Sequence, residues 1–143
     1  MPDCDLDDVK KQVTKEVKLM AQKTDKVCKE AKTLRDEKAE LEKNKNPSAE
    51  EKKKVFDIQK SLKDLEKSYL TEAESASERI NRILKTSVPT DQKEIPEWQK
   101  AMAPWYREML NKEAGLDIGK GLRLNGEISI KEKKAMIFLE GKF

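Results

Sequence analysis

Apolar residues recur at every seventh position through the first third of the chain: Leu6, Val13, Met20, Val27, Leu34 and Leu41. Six consecutive hits in one phase, set among mostly charged neighbours, mark a long helix with a narrow apolar seam of the coiled-coil type. With that series as d, the a positions are Lys10, Val17, Thr24, Ala31 and Lys38, smaller and more polar than d. The seam therefore predicts a helix over residues 5–43 that needs a partner along its length. Asp5 is placed to cap it, with Asp7 and Asp8 in a first turn that favours negative charge. On the outer face Asp7–Lys11, Asp25–Lys29, Lys26–Glu30 and Lys32–Asp36 stand at i,i+4, each pair contributing about 0.2–0.5 kcal/mol.

Asn44-Lys45-Asn46-Pro47 ends the pattern, because Pro47 disfavours helical geometry in Asn46. Ser48-Ala49-Glu50-Glu51 reads as a capping box that starts a second helix, predicted over 48–86. Its apolar series is Val55, Ile58, Leu62, Leu65, Tyr69, Ala73, Ala76, Ile80 and Ile83. The two consecutive steps of four around Tyr69 form a stutter that relaxes a left-handed supercoil. A break this short implies antiparallel neighbours, with Leu34 opposite the region of Ile58 and Val13 opposite that of Ile80. Residues 1–88 thus read as one helical hairpin, roughly 55 Å long.

Beyond the hairpin the character changes, for both tryptophans lie past position 85. Residues 89–115 read as a third helix, entered at Pro96, kinked or restarted at Pro104 and closed by Gly115. Its apolar face carries Trp98, Met102, Trp105, Tyr106, Met109 and Leu110, and docking that face on the hairpin would close a three-helix bundle. Residues 116–143 read as a small β element. There Leu122-Arg123-Leu124 and Ile128-Ser129-Ile130 flank Asn125-Gly126, the strongest short signal for a type I′ turn. Ala135–Leu139 is a candidate further strand. The fold class is mainly α: a long antiparallel hairpin, a shorter third helix and a small C-terminal β-hairpin.

Composition bounds the chemistry. Charged residues make up 41% of the chain and hydrophobic ones 36%, which suits helices burying one stripe but not a thick enclosing core. The chain has no histidine, which removes the commonest general base and the usual partner of a nucleophilic serine or cysteine. Cys4 and Cys28 would stand roughly 35 Å apart on one helix, too far for a disulfide or a shared metal. Gly119-Lys120-Gly121 lacks the spacing of a phosphate loop and reads as the lead-in to the β element. No catalytic, metal-binding or cofactor-binding residue is assigned.

The expected role is a non-enzymatic interaction module of the adaptor, scaffold or cochaperone kind. Charged helix faces would orient a protein partner, or a second copy of the chain, and Trp98, Met102, Trp105, Tyr106 and Met109 would anchor it. Two alternatives stand beside it. One is a nucleic-acid-associated protein using Lys52, Lys53 and Lys54, although 31 basic against 28 acidic residues, evenly spread, form no basic arm. The other is a carrier of lipid or another apolar ligand between splayed helices. No apolar run is long enough for a membrane span, and the absence of a signal-like start points to a cytoplasmic or nuclear protein.

Overall fold

A computed structural model describes residues 6–119 and 121–143; the Asp5 cap, Cys4 and Lys120 lie outside the described residues. The elements are α1 (Leu6–Glu42), α2 (Ala49–Ser87), α3 (Ile95–Ala114), β1 (Arg123–Ser129) and β2 (Lys134–Glu140). The fold is mainly helical, with one two-stranded antiparallel sheet.

The α1–α2 turn is built as its residues predict. The Ser48 hydroxyl accepts from the Glu51 N–H at 3.2 Å, and the Glu51 carboxylate accepts from the Ser48 N–H at 3.4 Å. The Asn44 side-chain amide adds a third contact to Glu51 at 3.0 Å. Farther down, Arg79 Nε donates to Glu16 at 2.6 Å and ties the two helices in register. Val13 and Ile80, a residue or three to either side, are both fully buried within a turn of that contact. Lys29 pairs with Asp25 at 2.9 Å, whereas Lys32 reaches Asp117 at 3.2 Å rather than Asp36.

The buried stripe of α1 is Val9, Val13, Val17, Met20, Thr24 and Ala31. It begins on the d side and drifts to the a side, because a straight α-helix departs from a strict seven-residue repeat by ~20° per heptad. Val27, Leu34 and Leu41 are consequently only half-buried. Thr24 is tolerated in the seam because its hydroxyl donates to the Met20 carbonyl at 2.9 Å. Opposite this stretch of small residues stands the stutter residue Tyr69, fully buried, with the Phe143 ring tilted against it at 5.6 Å between ring centroids.

The three helices form a bundle-like fold in which the sheet takes part. α3 packs on α1 and on β1 rather than along α2, while β2 packs on α2. The five elements form a closed ring, α1–α2–β2–β1–α3 and back to α1, around one core. The expected restart at Pro104 is absent: α3 is continuous, with Pro104 on its exposed side. There the Lys100 carbonyl that proline leaves unpaired can reach water.

The sheet departs most from expectation. Asn125-Gly126 is no turn; β1 runs straight through it, and the hairpin turns over Ile130–Lys133, with Lys133 in the left-handed region at φ 57°. Leu122, Leu124, Gly126, Ile128 and Ile130 form one alternating inward row. Glycine is required at 126 by close approach, since a Cβ there would collide with Leu110 and Tyr106 of α3. The edges are capped by helix side chains. Gln99 donates to the Ile128 carbonyl at 2.7 Å and accepts from the Ile130 N–H at 2.8 Å, and Asn81 accepts from the Ala135 N–H at 2.6 Å. Such capping removes unpaired edge groups that would otherwise recruit another strand.

Two predictions follow from the core. Gly126→Ala should lower unfolding free energy by about 1–3 kcal/mol through overpacking against α3, read by denaturant titration; a loss within error would dismiss the close-approach argument. Tyr69 and Tyr106 should respond to loss of the hydroxyl with opposite signs. The Tyr69 hydroxyl is buried without a hydrogen-bond partner among the described residues, while that of Tyr106 donates to the Met136 carbonyl at 3.3 Å. Tyr69→Phe should stabilise the fold and Tyr106→Phe destabilise it, each by about 1 kcal/mol.

Candidate interaction surface

The ring closure decides which of the anchor candidates remain accessible. Met102 and Tyr106 are completely buried and Met109 nearly so, all three on the side of α3 that faces the sheet and α1. Burial lifts the Tyr106 hydroxyl well above the ordinary phenol range, so it acts only as a neutral donor. Trp98 and Trp105 are half-buried and keep part of their rings at the surface. Lys52, Lys53 and Lys54 are all exposed at the hairpin tip.

Trp105 sits where α3 crosses the N-terminal half of α1. The Lys10 ammonium lies over its ring, 5.5 Å from the centroid. This explains a lysine at a seam position: Lys10 is not pressed between α1 and α2 but spread across the tryptophan, with its charge at the surface. Beside it lies an open groove of about 580 Å³ lined by Lys10, Lys11, Lys15, Lys18, Leu19 and Trp105. Glu16 borders the groove, but its carboxylate is bound to Arg79. The groove is therefore cationic at its rim and apolar at Trp105 and Leu19, the latter 39% exposed.

Leu19 belongs to neither heptad series and was missed for that reason, as was Phe56, 65% exposed on the outer face of α2. An apolar residue out of phase with the seam is the signal that marks both. Met136 is a third case, on the outer face of the sheet, where it lines a smaller groove with Gln99, Ala103, Arg107 and Glu127. That second groove carries both signs of charge and has no preference for either.

The nucleophile inventory is short. Cys28 is a free, half-buried thiol whose pKa is pushed up to about 11 by burial, with the charge of Asp25 adding to it. It stays protonated at neutral pH. Among the described residues no group of three or more His, Cys, Asp or Glu is arranged to hold a metal ion, and no helix is long and apolar enough to cross a membrane. What the arrangement offers is contact: an aromatic edge, a leucine and four lysines on one rigid surface. No protein-family model, curated protein or solved structure matches the chain, so this surface is read from its own geometry.

Proposed function

We propose that the chain is a non-enzymatic protein-interaction module that docks an acidic segment of a protein partner on the α1–α3 groove. The observation that carries this reading is the pairing of accessible apolar groups, Trp105 and Leu19, with a rim of Lys10, Lys11, Lys15 and Lys18. An apolar side chain of the partner would seat against the tryptophan edge, and carboxylates on either side would meet the lysines. Aromatic anchors ringed by complementary charge are the usual anatomy of such contacts. The rigidity of α1 supports it, because a preformed surface loses little entropy on binding. Of the five anchors assigned from sequence, Trp105 carries the role; Trp98 is half-buried and does not line the groove. Met102, Tyr106 and Met109 are buried and do not line the groove. A free thiol and the charged, unspanning helices suit a reducing cellular interior, cytoplasmic or nuclear.

The test is a photo-crosslinking residue at Leu19 in the native cell, with mass spectrometry of what it captures. One partner should be captured whose contact segment is acidic. Trp105→Ala or Lys11/Lys15/Lys18→Glu should abolish that capture, and Met136→Ser, on the opposite surface, should not. The charge-reversal variant should act mainly on the association rate and its salt dependence. A capture pattern indifferent to Trp105 and to the lysines would overturn the reading.

A further inference from the structure

At the other end of the hairpin, folding gathers charge that the linear composition averages away. Lys52, Lys53, Lys60, Lys63 and Lys67 are spaced so that all five fall within about 100° of one another around α2, opposite the buried Ile58, Leu62 and Tyr69. All five are exposed, and none forms an ion pair with a described carboxylate. Asp57 and Asp64 flank the row, and Glu51 is held by the capping box. In the middle of the row stands Phe56, 65% exposed, on the side of the helix that has no core to serve. Burying an exposed phenylalanine against a ligand is worth up to about 1.5–3 kcal/mol, so Phe56 offers an aromatic contact among the lysines.

The row runs into a cleft of about 780 Å³ where three elements meet: Arg35 from α1, Lys63 and Lys67 from α2, and Lys142 from the segment after β2. Its apolar floor is Leu62 and Phe143. The one side-chain carboxylate lining it, Glu66, is occupied by the Phe143 N–H at 3.1 Å. Arg35 is fixed in place, donating to the Lys142 carbonyl at 2.9 Å with its guanidinium resting against Gly119.

We propose that this tip face, from Lys52 to the Arg35–Lys142 cleft, binds single-stranded nucleic acid without sequence specificity. The lysines and Arg35 would meet successive phosphates along roughly 22 Å of α2, the span of fifteen residues at 1.5 Å each. Phe56 would offer a face on which a base stacks. Lysines that track a backbone, with an aromatic platform among them, are the general means of binding such strands. A purely acidic peptide such as polyglutamate would satisfy the lysines and leave Phe56 unused. A duplex would hide its base faces from it. This inference goes beyond the groove at Trp105 and is independent of it, since the two surfaces lie at opposite ends of the hairpin and share no residue.

The experiment is fluorescence anisotropy of the full chain with labelled oligothymidylate and oligouridylate of about 15 nucleotides, from roughly 50 to 200 mM salt. Binding should weaken steeply with salt. Lys60/Lys63/Lys67→Ala should cost at least tenfold in affinity and flatten the log–log salt slope by about 2, three single-strand phosphate contacts at ~0.7 each. Phe56→Ala should cost about tenfold with the slope unchanged, and Phe56→Tyr should restore most of it. Lys11/Lys15/Lys18→Ala should bind as the parent does. All these positions are exposed, and thermal melts of each variant confirm an intact fold. The proposal is overturned by no binding at the lowest salt, by Phe56→Ala binding as the parent does, by equal losses from the two lysine triples, or by polyglutamate competing as well as the oligonucleotide.

Discussion

The seam between α1 and α2 is the contact on which the rest depends, and its weakness shapes everything added to it. On the α1 side it is made of Val9, Val13, Val17, Met20, Thr24 and Ala31, mostly small or β-branched residues that let the helices approach closely but bury a narrow strip. Two helices of 37 and 39 residues meeting along so thin a strip leave apolar flanks open on both sides. A chain with 36% hydrophobic residues cannot thicken the strip, so it covers the flanks instead. At the base they are covered by α3 and the sheet, and toward the tip by Phe143 against Tyr69 and by the segment of Leu116 and Ile118 beside Lys32 and Arg35. Helices this long are held by such packing rather than by intrinsic propensity.

Covering the flanks demanded a closed ring, and the ring explains the residues that look out of place. α3 can reach the sheet only by pushing Tyr106 and Leu110 against the β1 backbone, so position 126 has room for nothing larger than hydrogen. A two-stranded sheet is marginal alone and exposes two edges. Gln99 from α3 and Asn81 from α2 supply amides that mimic missing strands at the turn end, one for each edge. The ring is thus closed by hydrogen bonds as well as by apolar contact, and its weakest member is stabilised by the two helices it bridges.

How much of this was legible follows from which signals are local. The helices, the capping box and the turn at Pro47 were readable because heptad phase and cap chemistry act within a few residues. The sheet was misread because Asn125-Gly126 is ambiguous: the same dipeptide serves a tight turn or a close approach, and only Tyr106, twenty residues earlier, decides between them. A second signal was present, for Leu122, Leu124, Gly126, Ile128 and Ile130 alternate without a break across the dipeptide, as a single strand must. Which element covers α2 was hidden for a similar reason. An apolar helix face shows that it will be covered but not by what, and here a sheet shares the work with α1. Of the anchor candidates, Trp98 and Trp105 kept surface, while the three that went inside are those set on the line of α3 that meets the ring's interior.

Charge has a different distribution by face than along the chain. Counting by thirds asks how charge is distributed along the chain, whereas a partner meets it by face. On α2 the core takes one side, so residues spaced by three, four, seven or eight accumulate on the other, and lysines separated by acidic residues in sequence become neighbours in space. The same geometry puts Lys11, Lys15 and Lys18 together on α1. Because α1 is unbroken from Leu6 to Glu42, the basal groove and the tip cleft are fixed on one rod. Lys15 and Arg35 are twenty residues apart, roughly 30 Å along the axis. A ligand at one end would therefore not need to deform the other. The hairpin holds two cationic surfaces apart, each with its own aromatic residue, and a heptad seam interrupted by one sharp turn is sufficient to build it.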